Sequence, residues 1–454
     1  MRSRLVPLVS ACVLAGGLIT ASPAAHAAPA PTVAATVEAN GPSWDPAISA
    51  DGRYVAFVSE ASDLIGGVTT ADPNGVADVF WVDTAAGTIR LISRGLGGAP
   101  ADGASNAVDL SADGRYVAFE STATNLIADD ANGAASDVYV YDVVDGSLEL
   151  VSRRGASGAQ GDADSFAPSI SADGRTVAFA SDATNLVAND TNAKSDIFVR
   201  SLDTATTSRA STTSSGAQAK NVSYDPVISP DGGWVAFSSL ASNLVTGDTN
   251  GTRDVFLKNL ATAKTIRVSV RTDGKQATGA STVDDVSTGG RQVVFHSYAT
   301  NLVKNDTNNR GDVFLRDRID ATTIRVSRDG PVESNGESFG ASISSNGGAI
   351  VFQSWATNLG DDVDTNGAAS DLFEYAVDTK LTTRVTVDTS GGWPDGASYD
   401  AQIAGAGDTV AFVSLASDLV EGDGNGFADV FVHRRLEGGV SVTRWSLGLP
   451  VASA

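Results

Sequence analysis

The sequence predicts an all-β chain, a seven-bladed β-propeller of four-stranded antiparallel blades. Three observations carry this: a unit of about 58 residues recurs seven times, each unit holds four short strand patterns, and Asp-Gly turns join the first two. Helical periodicity is absent from all four segments.

The first strand of a unit, A, is an inner segment such as PAIS (46–49), PSIS (168–171) or PVIS (226–229). It runs through SADGR or SPDGG into strand B, and Asp-Gly between alternating apolar runs is a hairpin signal because glycine supplies the positive φ of a tight turn. Strand B closes on Phe57, Phe119, Phe179, Phe237, Phe295, Phe352 or Phe412, with Val55, Val117, Val177, Val235, Val293, Ile350 or Val410 two places earlier. A spacing of two puts both side chains on one sheet face, where they fill the space between blades. All seven units then keep Ser-x-Ala-[Ser/Thr]-[Asn/Asp]-Leu, as in SEASDL (59–64) and SLASDL (414–419). An Asp-x-Asn loop leads into the aromatic strand C, as in Asp254-Val255-Phe256, and strand D, such as TIRVSV (265–270), completes the unit.

The units occupy 41–447, leaving a short leading segment, 28–40, and a tail, 448–454. Thr32–Val37 and Val440–Leu447 both resemble strand D, so one of them is expected to complete the last blade and remove a free edge. Residues 1–27 read as a cleaved secretory signal, with Arg2 and Arg4, an apolar run from Leu5 to Thr20, and the small-residue site Ala25-His26-Ala27. An exported monomer, extracellular or in the cell envelope, is expected. The one cysteine, Cys12, leaves with that signal, which excludes a disulfide framework and thiol chemistry.

The run ISPDGGWVAF (228–237), its six relatives and the DVF strands resemble the Pro-Asp-Gly, WD40-like repeats of TolB-type β-propellers. The resemblance covers nearly the whole chain after residue 27. It departs from that family in having seven repeats instead of six and no amino-terminal α/β domain before them, so it implies the scaffold and not a role in the Tol–Pal envelope system.

The chain carries a formal charge of −23; removing Arg2 and Arg4 from its 31 basic residues leaves 29 against 54 acids, or −25. A field of that sign repels phosphate backbones and anionic lipid heads, excluding nucleic acid and membrane surface as partners. No Gly-x-Ser-x-Gly elbow is present, and only His296 and His433 follow the signal, in different repeats, so imidazole catalysis and histidine metal sites are not expected.

Because strand direction alternates, the long B–C and D–A links emerge on one face, where binding residues are expected. Its first candidate is the loop Asp-x-Asn-x-x-x-Asp: Asp72/Asn74/Asp78, Asp190/Asn192/Asp196, Asp248/Asn250/Asp254, Asp306/Asn308/Asp312 and Asp423/Asn425/Asp429. These oxygens suit calcium, although the same letters also make side-chain turns onto their own backbone, and the low charge per loop favours the turns. A second candidate is the varying position of the Ser-x-Ala motif, where Tyr298 and Trp355 are either adjacent aromatic anchors of a recognition surface or ordinary surface variation, single exposed apolar residues being normal and the commoner case. A third is the Ser-aromatic pair that opens strand A, with Trp44, Phe166, Tyr224, Phe339 and Tyr399 as a channel collar or as packing between blades. The leading expectation is a non-enzymatic binding or scaffold module for a protein, peptide or glycan; alternatives are a carbohydrate-active hydrolase or lyase using channel-mouth carboxylates, and a calcium-stabilised structural envelope protein.

Overall fold

Alternating β-branched and aromatic residues between turn residues make strands of six residues, such as Trp234–Ser239 and Asp254–Asn259. The computed structural model describes residues 37–65, 74–156, 158–360, 363–367, 369–436 and 439–448. The expected signal, the leading residues to 36, Asp72 and the tail from 449 lie outside the described residues. Four antiparallel strands in sequence order make each of seven sheets, spanning 43–91, 105–150, 165–209, 223–267, 281–325, 338–384 and 398–444, here blades 1 to 7. In blade 4, strands A to D are Ser223–Ile228, Trp234–Ser239, Asp254–Asn259 and Thr265–Arg267. The seven-bladed propeller predicted from the repeats is therefore the fold.

Seven apolar cores lie between neighbouring blades. Val55 and Phe57 pack with Val413 and Val430 of blade 7, whereas Ala56 and Val58 turn to the opposite face and pack with Val117 and Phe119 of blade 2. Each Phe of strand B stacks on the ring opposite it in strand C, from 5.6 Å for Phe412 and Phe431 to 5.9 Å for Phe352 and Phe373. Burying one such side chain contributes about 2–3 kcal/mol, so the repeated Phe pairs account for much of what holds the ring together.

The A–B turns of adjacent blades pack against one another. Gly114 has φ +71°, and a Cβ there would lie 2.2 Å from the Tyr54 ring of the preceding blade, so the turn needs glycine for both its backbone and its neighbour. Backbone bonds Ala50 N–H to Ala112, Ala112 N–H to Ala172 and Ala406 N–H to Ala50 link these turns from blade to blade.

Ring closure uses both chain ends. Gly439–Arg444 is strand D of blade 7, and Val37–Glu38 pairs antiparallel with Leu447–Gly448 just beyond it. In blades 1 to 4 the same place holds a bridge within the D–A link, such as Arg94 with Pro100. The terminal pairing thus replaces a covalent hairpin by hydrogen bonds between segments from opposite ends of the chain. Of the two expected closing segments, the carboxyl-terminal one enters the last blade, and of Thr32–Val37 only Val37 lies among the described residues.

Candidate functional site

The B–C loops are built around their asparagines and second aspartates. Each Asn donates to a backbone carbonyl of the link leading into the next blade: Asn74 to Ala101, Asn192 to Ala219, Asn250 to Ala277, Asn308 to Ser334 and Asn425 to Ala39. The same amides reach Asp78, Asp196, Asp254, Asp312 and Asp429, whose other oxygen accepts from a hydroxyl two residues beyond strand D, such as Ser93 or Ser211. Asn425 also bonds Ala39 across the closure, so this loop motif fastens the two chain ends.

In four of these loops an arginine of strand D stands where a bound cation would stand. The Arg209 Nη1 lies 3.1 Å from Asp190 and 2.8 Å from Asp196; Arg267 faces Asp248 and Asp254, Arg325 faces Asp306 and Asp312, and Arg444 faces Asp423 and Asp429. Blade 2 has Leu150 at this position, and the Gln160 amide donates to Asp130, Asn132 and Asp137 instead. Burial raises Asp190 above the usual carboxylate range, with Arg209 opposing the shift, and pushes Asp306 up to about 6. The local turn chemistry read from the sequence is present in these loops. The guanidinium was not anticipated, although its signal is visible: Arg stands two residues before the Ser or Thr that follows strand D in blades 3 to 7.

Carboxylates of the channel wall are acceptors for the neighbouring blade. Asp400 accepts the Asp45 N–H, Asp45 that of Val108, Asp109 that of Ile170, and Asp285 that of Ile343. Burial and then the Asp400 charge push Asp45 up to about 7, and burial takes Asp285 to about 7 and Asp109 and Asp400 to about 6.

The residues gathered into a cleft belong to blades 5 and 6. A hollow of about 250 Å³ is lined by His296, Tyr298, Gly311, Glu337, Ser338, Phe339 and Trp355. Tyr298 and Trp355 follow strand B of their blades and are 52% and 43% exposed, while Phe339 on strand A of blade 6 lies 4.9 Å from Trp355 and 6.3 Å from His296, ring to ring. Gly311 lets the Tyr298 ring lie close, since a Cβ there would stand 3.2 Å from it. Tyr298 is raised above its ordinary value by burial and then by the neighbouring Glu337 carboxylate. His296 Nδ1 lies 2.8 Å from Asp284, which, against the opposing effect of burial, holds the imidazole above its ordinary pKa. The other Asp284 side-chain oxygen is buried without a hydrogen-bond partner.

Of the aromatic residues singled out from the sequence, Tyr298, Trp355 and Phe339 come together here, and the others are dispersed. Trp44 and Tyr399 pack on the core between blades 7 and 1, Phe166 packs between blades 3 and 4, and Tyr224 lies under the Arg253 guanidinium at 5.3 Å. Each opening serine is buried, and Ser43 hydrogen-bonds Ser59 of the Ser-x-Ala motif. Sequence reasoning missed Asp284 and Glu337, which belong to no repeated pattern, and read His296 as an isolated histidine.

No family model matches the chain, and no curated protein matches it by sequence. Among solved structures it is similar to a prolyl endopeptidase, at 13% identity and TM-score 0.55 over 90% of this chain and 50% of that one. It is also similar to a puromycin-hydrolyzing peptidase of Mycobacterium tuberculosis, at 14% identity and TM-score 0.53 over 93% and 56%. The chain spans about half the length of these peptidases. TolB from Acinetobacter baumannii also matches, at 13% identity and TM-score 0.38 over 76% and 63%. Identities this low show the propeller fold alone, and the TolB match at its score adds no argument. Fold and site together define a seven-bladed β-propeller with an aromatic cleft at the rim between blades 5 and 6.

Proposed function

We propose that the protein is an exported, non-enzymatic binding module that takes its ligand, a protein, peptide or glycan, on the face of the long loops. The observation that supports this most directly is the cleft: three aromatic side chains from two blades converge beside a carboxylate and an imidazole on a rigid scaffold. Such sites bind by burying a ring-sized group and orienting it with few polar contacts. Export is supported by residues 1–27 and by the acidic, cysteine-poor composition.

The rival reading, a carbohydrate-active hydrolase or lyase, has support in the Asp45 and Asp400 pair, whose raised pKa values suit proton transfer. Both carboxylates accept backbone N–H groups of the adjoining blade, which favours their use as links between blades. The test is a pull-down from the native cell exterior with the wild-type protein and with a Tyr298→Leu/Trp355→Leu variant. Capture that the variant loses supports the binding reading. Turnover of a glycan or peptide panel, abolished by Asp45→Asn, would overturn it.

A further inference from the structure

We infer that the cleft between blades 5 and 6 receives a cationic side chain, arginine or lysine, of an extended peptide whose neighbouring apolar residues lie on the flanking rim. This rests on the binding reading above and names the ligand class of that same site.

Three observations carry it. The first is how the protein treats several of its other tyrosine and tryptophan faces. Guanidinium groups lie within 6 Å of the rings of Tyr54, Trp81, Tyr116, Tyr224, Trp234 and Trp393, from 4.0 Å for Arg384 over Trp393 to 5.8 Å for Arg175 over Tyr116. Tyr298 and Trp355 are the most exposed tyrosine and tryptophan among the described residues, and among those residues no guanidinium or ammonium group lies over either ring. Electron-rich ring faces open to solvent are what an incoming guanidinium or ammonium group recognises.

The second is charge. Arg253 covers Tyr224 beside Asp225, and His296 pairs with Asp284, so the two local cations already have acidic neighbours. Glu337 is the remaining charge of the lining, and its neighbour there is the Tyr298 hydroxyl. A cation entering between the rings would meet that carboxylate, and the chain's net charge of −23 favours its approach.

The third is the rim. The equivalent positions of blades 4 and 7 are Leu240 and Leu415, 40% and 51% exposed, whereas blades 1 to 3 carry Glu60, Thr122 and Asp182. The apolar positions therefore form one arc across four consecutive blades with the cleft at its middle. Aliphatic flanks offer a sugar neither a stacking face nor hydrogen bonds, but they suit the side chains of a peptide lying along the arc, and this selects peptide over glycan.

The test is calorimetric titration of the full chain with an acetylated, amidated pentapeptide, Ala-Leu-Arg-Leu-Ala, and with its citrulline counterpart, which keeps the shape and loses the charge. The arginine peptide is expected to bind roughly five- to thirtyfold more tightly than the citrulline one, the range a partly desolvated cation–π contact and a facing carboxylate supply. Glu337→Gln and Trp355→Leu should each remove most of that preference with the melting temperature unchanged. Equal affinity for both peptides, or saturable binding of a chito- or cello-oligosaccharide that Trp355→Leu abolishes, overturns the inference while leaving the binding reading standing. Loss of both the peptide preference and the pull-down signal overturns the two together.

Discussion

Replacing Arg209 by Leu, the residue that stands at the same place in blades 1 and 2, tests whether a guanidinium does the work of a metal in the B–C loops. Arg209, Asp190 and Asp196 have side-chain exposures of 8%, 3% and 0%, so the substitution leaves two buried carboxylates facing each other with no cation between them. Breaking a buried pair in this way costs about 3–5 kcal/mol. With an unfolding entropy of roughly 2.1 cal/mol/K per residue over a propeller of ~400 residues, the melting temperature should fall by about 4–6 °C. The uncompensated carboxylate will take up a proton in the folded state, which raises its folded pKa above the unfolded value. The deficit is therefore largest at neutral pH and shrinks as pH falls toward 4. Calorimetry of wild type and variant between pH 7.5 and 4, with and without millimolar calcium or EDTA, reads all of this. The wild type should not respond to EDTA, and the variant should regain stability with calcium as an external ion replaces the guanidinium. A variant as stable as the wild type at every pH, or a wild type that loses several degrees in EDTA, would refute the reasoning.

His433 is buried in strand C of blade 7 with neither ring nitrogen hydrogen-bonded, and burial, then Arg435, pushes it down to about 4. Because the folded pKa lies below the unfolded 6.5, stability is present above pH 6.5 and lost as pH falls toward 4, by about 3 kcal/mol at most; His433→Leu should flatten that limb in denaturant titrations at pH 7 and 4.5. Phe179→Ala removes a fully buried ring stacked 5.8 Å from Phe198, and chemical denaturation should show a loss of about 3–5 kcal/mol. By contrast, Trp355→Ala should change stability by under about 1 kcal/mol, since the ring is 43% exposed, while abolishing capture of the partner in the pull-down.

How much was legible depended on how local the signal is. The blades could be read because Val55 and Phe57 are two residues apart and the Asp51-Gly52 turn lies between strands that pair directly, so period and turn chemistry are written within a few residues. The Asp-x-Asn loops were legible for the same reason, and their asparagines do bond the adjoining backbone. Arg209 and Asp190 are nineteen residues apart, and their meeting across the sheet could be suspected only by aligning the strand-D ends of all seven units. The cleft was half legible: Tyr298 and Trp355 stood out as aromatic variants at one motif position, whereas Phe339 was marked as a strand opener and Glu337 by nothing.

By itself the sequence determined the number of blades, the strand order within each and the face that carries the long loops, because each follows from side-chain alternation and turn geometry inside one unit. Only the tertiary structure decided which chain end completes the last blade, what stands between the loop carboxylates, and which aromatic residues share a cleft. Those depend on the packing of one unit against the next, where His296 and Tyr298 of blade 5 meet Phe339 and Trp355 of blade 6 across an interface that no local pattern encodes.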